Sequence, residues 1–260
     1  MTAIYVHRRA RTAVVLLGRH VAKIFWGGQA GKRLQRELQG NSRARACAPW
    51  SDAIIPQRQV ASLPVLIGPR GYAVNDADIP VLKQWVDIIT TRCESIGDEC
   101  PLLDVLEINR LEPAIGKVAV DFLLDSISPF LSLVSLPSGP QHGDLHRGNV
   151  LWCDGQLRAL DCDRFRVRGI PLLDRIHFAL AERMRVSGKR WLPLLLESDD
   201  MIKIILRQAG RDPALSSSLL IAYAIDRIAN ESEGAFLRGR RLAKYATQLN
   251  VLFGREVLPT

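Results

Sequence analysis

The alternation of apolar and polar positions changes character part-way along the chain. Residues 12–26, TAVVLLGRHVAKIFW, hold two β-rich runs about a Gly-Arg-His turn, the second alternating Val21, Lys23 and Phe25 against Ala22 and Ile24. Gly27 and Gly28 end it. Residues 31–45 are polar and Arg-rich, with Leu34 and Leu38 four apart; this predicts a helix with a narrow buried stripe that frays or ends at Gly40. PVLIG and GYAV, about the turn Gly68-Pro69-Arg70-Gly71, read as short strands, and residues 75–80 read as a strand-like linker. Beyond Pro80 helical periodicities take over, at 80–96, 101–110, 113–134, 171–186, 190–209, 215–230 and 235–253. The pattern predicts an α+β protein: a β-rich N-terminal lobe to residue 74, a linker at 75–80 and a larger helical C-terminal lobe over 81–260.

One stretch between the helical runs carries concentrated chemistry: QHGDLHRGNVLWCDGQLRALDCDRF, residues 141–165. Val150–Cys153 reads as a strand, Asp154-Gly155 as a two-residue hairpin turn and Gln156–Leu160 as the returning strand. Antiparallel neighbours lie ~4.8 Å apart, so Asn149, just before the first strand, meets Asp161, just after the second. An amide oxygen beside a carboxylate, with Asp163 two residues on, is an all-oxygen set of the kind Mg²⁺ prefers, whereas zinc would want His or Cys. Asp144 lies on a loop that runs into the same point, placed to accept a proton from an attacking hydroxyl. His142 can fix that loop by hydrogen bonds to backbone.

HGDLHRGN, the hairpin and LDCDRF together resemble the catalytic and metal-binding loops of the aminoglycoside phosphotransferase and choline kinase group of the protein-kinase-like superfamily. The resemblance implies a bilobal kinase-like fold, with ATP and Mg²⁺ as cofactors, Asp144 as catalytic base, Asn149 and Asp161 as Mg²⁺ ligands, and Asp163 as a further ligand or orienting group. It also implies a strand lysine that touches nucleotide phosphates and pairs with a helix glutamate. Lys23 in HVAKIF and Glu37, the only acid among the first fifty residues, fill those places, although Arg33 and Glu37 also suit an ordinary i,i+4 helix pair. Val21, on the same strand as Lys23, joins the expected nucleotide-binding set. Asp174 matches a helical Asp that steadies the catalytic loop in such folds, and equally suits a helix N-terminus. There are two departures. No glycine-rich loop precedes Lys23, the turn at 8–11 being Arg-Arg-Ala-Arg, and position 147 is Arg, a cation that either neutralises charge on the transferred group or points to solvent.

Composition narrows the acceptor. The 260 residues carry a net charge of +8, spread unevenly: the first fifty are strongly basic, the middle acidic and the last hundred basic, with Arg238, Arg240, Arg241 and Lys244 on one expected helix. Polycationic aminoglycosides need an acidic site, so this distribution favours an anionic acceptor or one at a membrane surface, and LDCDRFRVR is similar to lipopolysaccharide sugar kinases of the same superfamily. Low Tyr and Trp content gives no cage for choline. Five scattered cysteines without a CxxC pair suit reduced thiols in the cytoplasm, with an inner-membrane periphery as the extension suggested by charge, and Cys153 and Cys162 read as apolar filler. His177 and Trp191 read as packing residues. The expected partner is a small-molecule or glycan acceptor, with no specific nucleic acid, since no nucleic-acid motif accompanies the charge. Two other readings stay open on the residues alone: a nucleotide-binding pseudokinase scaffold, and a metal-dependent hydrolase built on His142, Asp144, His146 and Asp161.

Overall fold

In a computed structural model, residues 4–7, 12–112 and 117–232 are described. The chain forms two compact units, one of residues 1–93 with 140–167 and one of 94–139 with 168–260. The expected lobe boundary at 74–80 does not coincide with this division: residues 79–93 and the hairpin of the central stretch belong to the same unit as the N-terminal sheet. The chain changes units between residues 93 and 94 and again within the strands Gly139–Gln141 (β9) and Arg166–Gly169 (β12).

The first unit is built on an antiparallel sheet. Ile4–His7 (β1), Thr12–Leu17 (β2), His20–Phe25 (β3), Arg58–Gln59 (β4) and Val65–Pro69 (β5) lie in the order β1-β2-β3-β5-β4. Lys23 on β3 is opposite Val14 on one side and Leu66 on the other, a central position that fixes where its side chain emerges. Helix Ala30–Cys47 (α1) covers the sheet, and Leu34 packs with Phe25 and Leu66. Burying each such side chain contributes about 1.5–3 kcal/mol. Gly40 does not end this helix. The buried face of α1 is Leu34, Glu37, Gly40, Asn41 and Ala44, a helical stripe that is polar or small at most of its positions.

Tyr72–Ala73 (β6) joins a second sheet with Val150–Cys153 (β10) and Gln156–Ala159 (β11), ordered β11-β10-β6. The hairpin turns where expected, with Val150 opposite Ala159 and Cys153 opposite Gln156; this register sets Asn149 opposite Leu160, one residue short of the expected Asp161. Its turn needs positive φ at both central residues, which Asp154 (51°) and Gly155 (76°) supply. Where a strand-like linker is expected there is a capped turn instead: Asn75 Oδ1 accepts from the Ala77 N–H and Asp78 Oδ2 from the Asn75 N–H, a reciprocal box that launches helix Ile79–Ser95 (α2). Trp50 is buried and donates its indole N–H to Cys93 Sγ on α2 at 3.0 Å.

In the second unit Glu99–Pro101 (β7) pairs antiparallel with Ser135–Pro137 (β8). The helices are Leu102–Val105 (α3), Lys117–Leu131 (α4), Leu172–Ser187 (α5), Trp191–Leu196 (α6), Asp199–Gln208 (α7) and Ser216–Ser232 (α8). Leu123, Ile127, Ile176, Leu180, Ile202 and Ile228 are among the fully buried residues of their common core. His177 and Trp191 are packing residues, as expected: His177 Nδ1 lies 2.7 Å from the Tyr223 hydroxyl, and Trp191 meets the Tyr223 ring edge-on. The expected helix 190–209 is broken at Glu197–Ser198, where the buried Ser198 hydroxyl donates to the Leu194 carbonyl and Asp199 and Asp200 open a new first turn. The expected helix 101–110 shrinks to α3 and a 3-10 turn at Ile108–Leu111. Residues 8–11, and the expected helix 235–253 with its four basic residues, lie outside the described residues.

Candidate functional site

Within the first unit, β3, α1, the loop 142–149 and the turn 161–164 bring their polar side chains to one place. Lys23 Nζ donates to Glu37 Oε2 at 2.7 Å and to Asp161 Oδ1 at 3.0 Å, so one ammonium serves two carboxylates. Burial works against the Lys23 charge, but Asp161 and Glu37 outweigh it and hold the pKa above its ordinary value. Burial, together with the nearby Asp161 charge, pushes the Glu37 carboxyl up despite its lysine. Asp161 goes the other way: Lys23 more than offsets its desolvation. The i,i+4 alternative for Glu37 is thereby replaced by a long-range pair.

His142 is fully buried and stacks on Trp50, rings 22° apart. Its Nε2–H donates to the Leu160 carbonyl at 3.1 Å and its Nδ1 accepts from the Asp144 N–H at 3.4 Å, which ties the loop to the end of β11. Desolvation pushes its pKa down, consistent with a neutral ring. With both nitrogens turned to backbone, His142 is not arranged as a metal ligand, which removes a central piece of the hydrolase reading. Gly143, at φ +81°, makes the loop's close approach: a Cβ there would lie 2.6 Å from the Arg164 carbonyl oxygen.

Asn149 is buried and donates through Nδ2 to the Asp144 carbonyl at 2.9 Å, leaving its Oδ1 as the oxygen for a cation. The Leu160 N–H donates to Asn149 O at 3.0 Å, extending the hairpin ladder by one step, so that Asn149 is opposite the residue that precedes Asp161. Asp161 has left-handed backbone, φ 62° and ψ 48°, a conformation Asp and Asn tolerate better than other non-glycine residues. A 3-10 turn at Cys162–Arg164 follows. Burial first, then Asp161 and Asp144, push the Asp163 carboxyl up to about 6, against the pull of Arg164.

The sequence reading missed two residues of this cluster. Arg164 Nη1 lies 3.3 Å from Asp144 Oδ1, and its only sequence signal is its place in the Asp-x-Asp-Arg string. Gly40 is the second: a Cβ there would overlap the Cys162 carbonyl oxygen, so α1 rests directly on the 162–163 backbone. Arg147, for which the sequence left both the transferred group and solvent open, donates to Asp76 Oδ1 at 2.7 Å. Val21 is half-buried on β3, opposite Gly68. Asp174 is buried in the first turn of α5. Cys153 and Cys162 are buried free thiols.

Four carboxylates, Glu37, Asp144, Asp161 and Asp163, thus face the cations Lys23 and Arg164. The surplus of negative charge and the oxygen donors of Asn149 and Asp161 fit a hard divalent cation. Among the described residues no group of three or more His, Cys, Asp or Glu forms a cage for a metal ion. Mg²⁺ commonly takes one or two carboxylates, with water and substrate phosphates completing its sphere, so the set here fits it better than zinc. Among the described residues no helix is long and apolar enough to cross a membrane.

No protein-family model and no curated protein matches the chain. Solved structures do. Choline kinase LicA from Streptococcus pneumoniae has a TM-score of 0.58 at 11% identity, covering 98% of this chain and 93% of that one. Aminoglycoside phosphotransferase APH(4)-Ia follows at 0.57 and 13%, with the same coverage. Aminoglycoside phosphotransferase APH(2'')-IIa, solved with streptomycin and ATP, scores 0.54 at 12% identity, covering 99% of this chain and 92% of that one. The chain has the protein-kinase-like fold that these proteins share.

Proposed function

We propose that the protein is an ATP- and Mg²⁺-dependent phosphotransferase that moves the γ-phosphoryl group to a hydroxyl of a small molecule or glycan. The observation that carries this reading is the single ammonium of Lys23 held between Glu37 and Asp161, with Asn149 and Asp144 on the adjoining loop. Proteins of the same fold support it: APH(4)-Ia has been solved in a ternary complex with ADP and hygromycin B, and another neighbour is a choline kinase.

In this reading Lys23 grips the nucleotide phosphates, Glu37 orients Lys23, and Val21 lines the nucleotide. Asn149 and Asp161 hold Mg²⁺, and Asp163 orients that group. Held by these residues, Mg²⁺ would supply charge neutralisation for the transferred phosphoryl group. Asp144 takes the proton of the attacking hydroxyl, and His142 holds the loop that aims it. Arg147, anchored on Asp76, positions the loop. Arg164 beside Asp144 places a guanidinium where an acceptor must approach; together with the basic charge of the chain this favours an anionic acceptor such as a sugar of a lipopolysaccharide-like glycan.

The test is an acceptor screen by Mg²⁺-dependent ADP release, starting with anionic sugars and lipid-linked glycans, with Asp144→Asn as the control. The expected result is turnover that falls about 10²–10⁴-fold in Asp144→Asn while ATP-analogue affinity is kept. Wild-type turnover in that variant would refute the assignment of the base.

A further inference from the structure

A cleft of about 740 Å³ opens in the first unit away from the lysine–carboxylate cluster, lined by Arg19, Arg70, Tyr72, Trp152 and Asp154, with the turn glycines and Pro69. None of Lys23, Glu37, Asp144, Asn149 or Asp161 lines it. Its size is that of a small-molecule pocket.

The walls are held by backbone. The Arg70 N–H donates to Arg19 O at 2.9 Å and Arg70 Nη1 to Gly18 O at 3.2 Å, which tie the β2–β3 turn to the end of β5. On the other side Trp152 is paired in register with Tyr72 across β10 and β6, so the two rings stand on one face of that sheet. Trp152 is half-buried, whereas the Tyr72 ring is 69% exposed. The Arg70 guanidinium lies 5.8 Å from the Tyr72 ring centroid, and its Nε is shut from solvent without an acceptor among the described residues. The lining holds two guanidiniums against one carboxylate, Asp154.

We infer that this cleft is a second ligand site, for a planar aromatic ring that bears a phosphate or carboxylate. Tyr72 and Trp152 supply the apolar platform, and Arg19 and Arg70 supply the anion's partners, with Arg70 already held over the Tyr72 ring.

The experiment is calorimetric titration of the full chain with 1-naphthyl phosphate, alongside 1-naphthol and inorganic phosphate. The expected result is saturable binding with Kd below about 1 mM, at least tenfold tighter than either half-ligand. Tyr72→Ala and Arg70→Gln, each checked for folding by circular dichroism, are expected to weaken it at least tenfold, while Asp161→Asn leaves it unchanged. Absence of binding, equal affinity for 1-naphthol, or loss in Asp161→Asn but not in Tyr72→Ala would each overturn the inference.

Discussion

Gly40 on α1 and the carbonyl of Cys162 are in such close approach that no side chain fits between them; a Cβ on residue 40 would also lie only 2.6 Å from the Cys162 carbonyl carbon. The helix that carries Glu37 and the turn that carries Asp161 and Asp163 are therefore set against each other through backbone. In an ordinary exposed helix Gly→Ala stabilises by about 1 kcal/mol. Here Gly40→Ala is expected to lower the melting temperature and to weaken Mg²⁺-dependent nucleotide binding, because the helix must shift off the turn. A raised melting temperature with normal binding would show that the contact gives way easily.

The hairpin was legible because its signals are local. Asp154-Gly155 dictates the turn, the turn fixes the register, and the register puts Asn149 opposite Leu160, the residue before Asp161. The lysine–glutamate pair came from the resemblance, and the structure joins it at 2.7 Å. Gly40 was misread because a glycine inside a polar helix looks the same whether it ends the helix or touches a distant backbone. The buried face of α1 was seen only at Leu34, since Glu37, Asn41 and Gly40 carry no apolar periodicity. Arg164 was missed because its partner Asp144 is brought near only by the turn at 162–164 and the approach of Gly143. The bond from Arg147 to Asp76 was not legible because Asp76 lies 71 residues away, on a turn the sequence reading left as linker.

The shared ammonium predicts unequal effects of removing its partners. Lys23→Met leaves Glu37 and Asp161 without a cation in a largely buried site and is expected to cost about 3–5 kcal/mol. Glu37→Gln leaves Lys23 paired with Asp161 and is expected to cost about 1–2 kcal/mol. Urea unfolding of both variants checks this, and equal losses would contradict the bridging role of Lys23.

Stability should fall on mild acidification through His142. Its folded pKa is depressed below 6.5 by burial, so below pH 6.5 the unfolded chain binds a proton that the folded ring refuses. Its contribution is complete above pH 6.5 and is lost as the pH falls toward the folded pKa, with a slope of at most about 1.4 kcal/mol per pH unit. His142→Gln is less stable overall but should show a shallower slope between pH 6.5 and 5 in urea titrations. An unchanged slope would assign the acid sensitivity to other groups.

The most direct test of the proposed nucleotide site is calorimetric binding of a non-hydrolysable ATP analogue, with and without Mg²⁺, to wild type and Asp161→Asn. Asn is accepted at the left-handed backbone of residue 161, so the substitution removes charge with little strain. The wild type is expected to bind in a Mg²⁺-dependent manner and the variant to lose that dependence. A folded wild type that binds no analogue, or a variant that binds with undiminished Mg²⁺ dependence, would contradict it.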